Sequence, residues 1–495
     1  MADTYLFYDT ETTGLSRAFD QILSFAAIRT DGGLNEIERI AIDLRLRPDV
    51  VPSPAAIVVN GIRAGRFGSG RCEVEALRAI HAEVNRPGTV SIGYNSIGFD
   101  DEFLRFGFHR NLLPPYTHQF AAGCRRMDLM PPTIMCWLHR RELLRWPELN
   151  GKASLKLEDI GAANGLFSGR SHDAMADVEA TVRLARLLAR DAKMWDFLDG
   201  CFRSETDAAR CAELPPAVAT ARGPHPHGLL VAGEFGTRNA FQAPVLFIGS
   251  SIPYPKQTLW LRLDLPALRE TRPEDPAATT WVARKRWGEP GILLPPHERY
   301  LSRIGPERRA LMEANIRWLE SRPDLLETVA RHHCEYRHPF IPDLDPDAAL
   351  YQNGFLSRTD EMLCREFHAA DLPAKMDLAE RFTNRDAGVL ARRLLFRNYP
   401  DETRARYAEA ADAHHRRICE GVPVTDMAGR PRTTPQQALA EIRALRNAPA
   451  TPGEQRRILD ELEGYIRNRF PAPEIDRTRQ GGTQLGLFAD VTPSR

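Results

Sequence analysis

The chain has 495 residues, of which 43% are hydrophobic and 27% charged, proportions typical of folded globular proteins rather than disordered or fibrous ones. This length favours about three domains over one. Lys plus Arg and Asp plus Glu both number 66, so the net charge is zero and any nucleic-acid-binding surface must be local.

Membrane insertion and secretion are not expected. No apolar run reaches the roughly 18 residues of a transmembrane helix, and the first residues lack the basic and apolar regions of a secretory signal. The eight cysteines form no C-x-x-C pair. We therefore expect a cytoplasmic protein with reduced thiols and no membrane association.

The first 190 residues alternate between strand and helix patterns. Strands are predicted at 5–8, 22–30, 37–46 and 90–94, and helices at 73–85, 99–108 and 171–190. Such alternation indicates an α/β domain, which we place at residues 1–192.

The pattern changes after residue 192. Short strand-like runs within a Pro/Gly-rich stretch predict a β-rich domain over 193–346, which also contains helices inside 306–333. Residues 347–470 are predicted to be helical, with helices at 378–395, 403–419, 435–446 and 453–470. Residues 471–495 lack periodicity and are expected to form a flexible tail.

Asp9 and Glu11 follow the first predicted strand. Side chains two residues apart on an extended backbone point to one face, so both carboxylates can project from the carboxyl end of the strand. Open α/β sheets place their sites at this end. Acidic turns are also common without a function, so this pair alone is a weak signal.

Two further acidic segments occur at predicted helix starts. Asp100 and Asp101 open the helix near 99–108, where an aspartate can be an ordinary N-cap. Asp177 lies near the start of the long helix predicted over 171–190, five residues after His172. That helix also offers a simple capping alternative, in which Ser171 or Asp173 is the cap and His172 is merely solvated.

Together these segments predict a metal site. Four carboxylates share a small site only when cations offset their repulsion, and oxygen-only ligands favour Mg²⁺ or Mn²⁺ over zinc. A neutral histidine beside the cluster can accept a proton near pH 7.

The motifs D-x-E-T-T-G at 9–14, N-x-x-x-F-D at 95–100 and H-x-x-x-x-D at 172–177 resemble the three exonuclease motifs of the DEDD superfamily, in its His-containing branch. Segments 25–31, 93–103 and 171–181, with QAPVL at 242–246 and FRNYP at 396–400, resemble bacterial exodeoxyribonuclease I. That family degrades single-stranded DNA from the 3′ end. The resemblance covers about residues 5–470.

The resemblance implies a ribonuclease H-like exonuclease domain, an SH3-like β-barrel domain with extra helices and a helical C-terminal domain, which enclose a groove for single-stranded DNA. It also implies that two Mg²⁺ ions, or Mn²⁺ in their place, are held by Asp9, Glu11, Asp100 and Asp177. His172 would take a proton from the attacking water, and the products would be 5′-mononucleotides.

The resemblance assigns three further roles. Glu11 is expected near the terminal nucleotide. Lys156 replaces an Arg that contacts substrate in the family, which keeps the attraction but loses the planar fork. Asp100 matches the ligand position of the motif, which leaves Asp101 as the expected helix cap.

Single-strand binding needs cations along a groove and aromatic rings for stacking. Candidate groups are residues 281–287, the set Arg125, Arg126, Arg140, Arg141 and Arg145, and the set Arg392, Arg393 and Arg397. Arginine on an ordinary solvated face is an equally simple explanation.

Partners are also implied. Gln484, Leu485, Leu487 and Phe488 in the tail resemble the Q-L-x-L-F peptide that binds the bacterial sliding clamp. The family implies binding to the acidic tail of single-stranded DNA-binding protein. We also expect a monomer that lies in the cytoplasm, associated with the nucleoid.

Two alternatives stay open. One is an RNA-trimming or proofreading DEDD exonuclease, which the extra domains argue against because such enzymes are usually compact. The other is a catalytically silent DNA- or clamp-binding module, which the complete acidic set and His172 argue against.

Overall fold

The structure is a computed structural model, and it describes residues 3–167, 173–420, 424–448 and 452–471. Along these ranges the chain forms a mixed sheet with helices, then an antiparallel sheet, then a helical region. This order confirms the predicted multidomain α/β, β and α architecture.

The first region contains a five-stranded mixed sheet in the order β3-β2-β1-β4-β5. Its strands are β1 (Thr4–Thr12), β2 (Ile22–Thr30), β3 (Glu36–Asp43), β4 (Thr89–Gly93) and β5 (Arg125–Asp128). A short hairpin follows, with β6 (Glu148–Leu149) and β7 (Lys152–Ala153). The central strand β1 pairs antiparallel with β2 and parallel with β4.

Helices pack on both faces of this sheet, and others in this part of the chain contact the later regions. They are α1 (Pro54–Asn60), α2 (Glu73–Val84), α3 (Asp100–Arg110), α4 (Met130–His139), α5 (Leu157–Asn164), α6 (Ala174–Leu188), α7 (Ala192–Cys201) and α8 (Ser204–Ala212).

The alternation of side chains along β1 decides which helix each residue meets. Leu6 and Tyr8 pack with α2 and α3, whereas Tyr5 and Phe7 pack with α4 and α6. Because successive side chains of a strand point to opposite faces, Asp9 and Glu11 lie on the face that packs with α6, and Thr10 lies on the face that packs with α3.

The second region is a six-stranded antiparallel sheet. Its strands are β8 (Pro216–Thr220), β9 (Gly223–Val231), β10 (Gln242–Ser250), β11 (Thr258–Arg262), β12 (Val282–Lys285) and β13 (Ile292–Leu294). Helices α9 (Glu298–Leu301), α10 (Pro306–Glu320) and α11 (Pro323–Glu335) follow.

The third region is helical. It comprises α12 (Arg358–Ala369), α13 (Leu372–Leu378), α14 (Arg385–Asn398), α15 (Pro400–Glu420), α16 (Pro435–Arg446) and α17 (Gly453–Arg469). Within the described ranges, every helix is too short or too polar to cross a lipid bilayer.

The prediction of one helix over 378–395 is wrong, because the chain breaks between α13 and α14. The Asp360 carboxylate of α12 accepts hydrogen bonds from the backbone of Thr383 and Asn384. Asn384 then caps α14 by accepting from the Ala387 N–H. These bonds satisfy backbone donors at the break and let a new helix start there.

Candidate active site

Three carboxylates converge on the α6 face of the sheet. Asp9 and Glu11 occupy the carboxyl end of β1, beyond its last parallel pair with β4, and Asp177 lies in the first turn of α6. Ligand oxygens of these three side chains all lie within 4.8 Å of one another. The predicted meeting of β1 with the long helix is therefore present in the structure.

Asp100 joins this group from the other side of the sheet. It is the first residue of α3, its side chain is buried, and its Oδ1 accepts a hydrogen bond from Thr10 Oγ1 at 2.5 Å. Its negative charge raises the pKa of both Asp9 and Glu11. The fourth carboxylate is therefore close enough to act on two of these acids, although it does not belong to the group whose oxygens all lie within 4.8 Å of one another.

The carboxylates resist ionisation together when no cation is bound. Burial raises the pKa of Asp9 well above its usual range, and the neighbouring carboxylates add to this shift. Burial, followed by the charge of Asp177, raises the pKa of Glu11 to about 8. Burial also raises the pKa of Asp100 to about 7, although hydrogen bonds from Thr10 oppose the change.

The prediction that Asp101 caps its helix is wrong. The residue before α3 is Phe99, which makes no side-chain cap bond. Asp101 is instead fully buried and accepts from Arg126 at 2.5 Å and from His118 at 2.8 Å, with Arg105 at 2.9 Å. These cations outweigh the effect of burial and hold the pKa of Asp101 far below its usual range.

Asp173 is the N-cap of α6, since its Oδ1 accepts from the Met175 N–H at 3.1 Å. The capping alternative therefore holds for Asp173. His172 and Ser171 lie outside the described residues, as do Gln484, Leu485, Leu487 and Phe488. Lys156 is at the N-terminal end of α5 with an exposed side chain.

Two residues that support Asp100 were not predicted. Thr10 is the variable position of D-x-E, and its bond to Asp100 depends on the placement of α3. Asp128, at the end of β5, accepts the N–H groups of Asn95 and Met130 at 2.8 and 2.9 Å. An acidic residue at the end of a strand is a signal for a site residue, but Asp128 could not be found in this way because no strand was predicted at 125–128.

A cavity of about 780 Å³ opens beside Glu11. It combines residues of α1, the start of α6 and α17, among them Val59, Asn60, Asp173, Met175, Glu454 and Ile458. The Asn60 amide joins α1 to the end of β1 by donating to the Thr12 carbonyl at 3.1 Å. The helical region therefore forms part of the wall next to the carboxylates.

Most arginines expected as DNA contacts have other partners. Arg126, Arg393 and Arg397 are buried in ion pairs, with Asp101, Asp345 and Asp347 respectively. The partly buried Arg125 pairs with Asp199 at 2.6 Å. These four guanidinium groups stabilise the protein interior and its domain contacts.

Comparisons with known proteins agree with this geometry. A family model described as an exonuclease matches residues 6–185, and one described as the exonuclease I C-terminal domain matches residues 344–469. Exodeoxyribonuclease I of Escherichia coli (strain K12) is 29% identical over 401 residues, which cover 75% of this chain and 81% of that protein. Exodeoxyribonuclease I of Haemophilus influenzae is 37% identical over 188 residues, 37% of this chain and 40% of that protein.

A solved structure is similar over nearly the whole chain. The zinc-bound crystal structure of E. coli exonuclease I in complex with single-stranded DNA superposes with a TM-score of 0.80 at 25% sequence identity. The match covers 95% of this chain and 100% of that chain.

Proposed function

Because the chain belongs to the exodeoxyribonuclease I family, we infer that it hydrolyses single-stranded DNA from the 3′ end and releases 5′-mononucleotides. The observation that carries this proposal is the convergence of Asp9, Glu11 and Asp177 within a region that matches an exonuclease model. The complex of the E. coli relative with single-stranded DNA supports the substrate class.

The carboxylate site fits hard divalent cations. Its donors are all oxygens, and burial, followed by the charges of neighbouring carboxylates, raises the pKa of Asp9 and Glu11. We propose that Asp9, Glu11, Asp100 and Asp177 hold two Mg²⁺ ions, for which Mn²⁺ can substitute. When bound, such ions stabilise charge on the attacking and leaving oxygens of the phosphodiester.

We propose His172 as the general base that takes a proton from the attacking water. In the chain it directly precedes Asp173, the N-cap of α6, and Asp177 follows one turn later on that helix. Imidazole titrates near neutral pH, so it can accept a proton from water and return it to solvent.

Substrate contacts are proposed for Glu11 and Lys156. Glu11 lines the cavity beside the carboxylates. The volume of this cavity lies within the range of roughly 300–1,000 Å³ that is typical of small-molecule sites, and it suits a terminal nucleotide. The exposed ammonium of Lys156 can attract a phosphate without orienting it as an Arg fork would.

For the whole chain we propose a ribonuclease H-like exonuclease domain over 1–192, an SH3-like β-barrel domain with helices over 193–346, a helical domain over 347–470 and a tail over 471–495. The change from mixed sheet to antiparallel sheet to helices supports these divisions. Together the domains would enclose a groove for the DNA strand.

We also propose that the chain is a cytoplasmic, nucleoid-associated monomer that binds the acidic tail of single-stranded DNA-binding protein. A mostly apolar cavity of about 790 Å³ between α2, α3 and α12 supports this partner. Arg78 and Arg365 on its wall can attract an acidic peptide, and Glu361 and Asp386 on the same wall limit that attraction.

The tail peptide is proposed to bind the sliding clamp through Gln484, Leu485, Leu487 and Phe488. Surface plasmon resonance should detect clamp binding to the full chain and none to a chain that ends at residue 479. Cleavage of short oligonucleotides should be the same for both chains. Equal clamp binding by the two chains would contradict this assignment.

Labelled single-stranded DNA and RNA of one sequence test the proposed activity. We expect Mg²⁺-dependent shortening of the DNA only. Asp9→Asn should lower the cleavage rate more than about 100-fold, because the amide removes a charge that binds the metal ion; losing a residue that only supports a ligand costs less. The variant should retain DNA binding. The exposed Asp377 gives the control variant Asp377→Asn, which should cleave at the wild-type rate.

Three outcomes would contradict the proposal. Preferred cleavage of RNA would favour an RNA-trimming enzyme, and binding without cleavage by the wild-type protein would favour a silent DNA-binding module. Undiminished cleavage by Asp9→Asn would mean that the reaction takes place elsewhere in the molecule.

A further inference from the structure

Thr10 stands between the two acids of the D-x-E motif but belongs to the opposite face of the sheet. Leu6 and Tyr8, which precede it on that face, pack against α3. The Thr10 hydroxyl donates to Asp100 Oδ1 at 2.5 Å, and both side chains are buried. One hydrogen bond thus joins the central strand to the first residue of α3.

At the start of α3, the Thr10 hydroxyl gives the Asp100 carboxylate its side-chain hydrogen bond, and backbone groups add to it. Phe99, the N-cap residue, provides no side-chain cap bond. The backbone of Asp100 itself and that of Thr10 also hydrogen-bond the Asp100 carboxyl, so Thr10 supplies two of these three contacts. Hydrogen bonds to charged acceptors are stronger and more directional than neutral ones, and they favour one side-chain rotamer.

We propose that Thr10 is a positioning residue for cation binding: its hydroxyl fixes the Asp100 carboxylate beside Asp9, so that both faces of the sheet contribute to one cation site. The proposal rests on the proposed function, since it concerns the same carboxylates. Asp9, Glu11 and Asp177 converge on the α6 face without Thr10, whereas Asp100 arrives from the α3 face. Loss of the hydroxyl should therefore weaken the cation that depends on Asp100 more than the other.

The comparison of Thr10→Val with Thr10→Ser tests this role, because valine keeps the shape and removes the hydroxyl, whereas serine keeps the hydroxyl. Isothermal titration of the DNA-free protein with Mn²⁺ should show one of two sites weakened about tenfold or more in Thr10→Val. Thr10→Ser should bind both ions like the wild type.

The Mg²⁺ dependence of cleavage gives a second measurement, which would not change if Thr10 only stabilised the fold. In Thr10→Val, the Mg²⁺ concentration for half-maximal cleavage should rise by a similar factor, while kcat at saturating Mg²⁺ stays within a few-fold of wild type. Thermal melting checks that the variant is folded, and Thr10→Ala, which also lacks the hydroxyl, should repeat the effect if valine is poorly accommodated.

Wild-type Mn²⁺ binding by Thr10→Val or Thr10→Ala would overturn the proposal. So would an equal weakening by Thr10→Val in an Asp100→Asn background, where no positioned carboxylate remains to be lost. A wild-type protein that binds both cations but leaves single-stranded DNA intact would refute the proposed function, and the binding comparison would still decide the role of Thr10.

Discussion

At the residue scale, the carboxylates hold protons that a cation must displace. The pKa of Glu11 is raised to about 8 and that of Asp100 to about 7, so at neutral pH each is at least half protonated when no ion is bound. Cations bind the ionised forms. Apparent Mn²⁺ affinity should therefore rise between pH 6.5 and 8.5, by at most about tenfold per pH unit for each group that is still protonated, and the rise should level off above the pKa of that group.

Isothermal titration in buffers of different ionisation enthalpy measures these protons directly. The wild type should release protons on binding Mn²⁺ at pH 7, and Glu11→Gln should release fewer. Equal affinity at pH 6.5 and 8.5, with no proton release, would contradict the raised pKa values.

Alternation along the first strand was enough to predict that Asp9 and Glu11 share a face, because this depends only on neighbours in sequence. The role of Asp101 was not predictable in this way. Its partners Arg126 and His118 come from later segments that local capping rules do not consider. Ion pairs between residues that are distant in sequence cannot be predicted from local sequence patterns.

At the element scale, the turn between β4 and α3 is organised by Asp128. Besides the N–H groups of Asn95 and Met130, this buried carboxylate accepts from the Ile97 N–H at 3.3 Å. Asn95 has a left-handed backbone with φ of 58°, which is uncommon outside glycine. The carboxylate therefore stabilises a turn that delivers Asp100 to the site.

Asp128→Asn should disturb this turn, because the new amide group presents donors to backbone donors. We expect a loss of about 1–3 kcal/mol in stability and a lower cleavage rate. Thermal melting and hydrogen exchange of residues 93–100 measure both the global and the local effect.

Asp191 supplies a matched control. It caps α7 by accepting from the Met194 N–H, and asparagine is an equally good N-cap. Asp191→Asn also loses an ion pair with the exposed Arg140, which solvent screens, so melting should shift only slightly and cleavage should stay unchanged. An Asp128→Asn variant that resembled this control would show that the turn does not need the carboxylate.

In the first region, periodicity predicted the strands β1 to β4 and the helices α2, α3 and α6, because their apolar faces follow a regular repeat, but it missed β5. It failed at the break between α13 and α14, where Asp360 of α12 binds the backbone of Thr383 and Asn384. A cap supplied by a different helix leaves no periodic signal in the segment that it interrupts.

At the scale of the whole molecule, buried charges join the first region to the helical one. Asp49, which follows β3, contacts Arg397 at 2.7 Å, His414 at 3.0 Å and Arg432 at 3.1 Å. Burial alone would raise the pKa of Asp49, but these partners and Arg47 hold it well below its usual range. The carboxylate therefore stays charged in the interface.

Arg397→Met should destabilise the protein by about 3–5 kcal/mol, because it leaves Asp49 and Asp347 buried without their shared guanidinium. The control Arg406→Met removes an exposed pair with Asp377 and should change stability little, because solvent and salt screen exposed ion pairs. Urea unfolding followed by circular dichroism separates the two, and equal midpoints would contradict this assignment.

The same variant carries a pH signature. Since the folded-state pKa of Asp49 is depressed, its stabilisation is complete above its unfolded pKa of about 3.9 and is lost as pH falls toward the folded value. The stability difference between wild type and Arg397→Met should therefore shrink below about pH 4. A difference that stayed constant down to pH 3 would contradict this account of the interface.

The change along the chain from alternating strand and helix patterns to a Pro/Gly-rich stretch, and then to helical periodicity, was sufficient to predict three regions in the correct order. It was not sufficient to predict how the regions meet, because Arg393 and Arg397, assigned to a possible DNA surface, are buried in ion pairs with Asp345 and Asp347. Charge alone does not distinguish a nucleic-acid surface from a domain interface when every partner is distant in sequence.

The most direct test of the central claim, a cation-dependent carboxylate site that removes nucleotides from the 3′ end, follows 3′-labelled and 5′-labelled strands side by side. With Mg²⁺, the 3′ label should appear at once as mononucleotide while the 5′-labelled strand shortens gradually, and EDTA should stop both. Double-stranded substrate should be resistant. First release of the 5′ label, or undiminished cleavage in EDTA, would contradict the account.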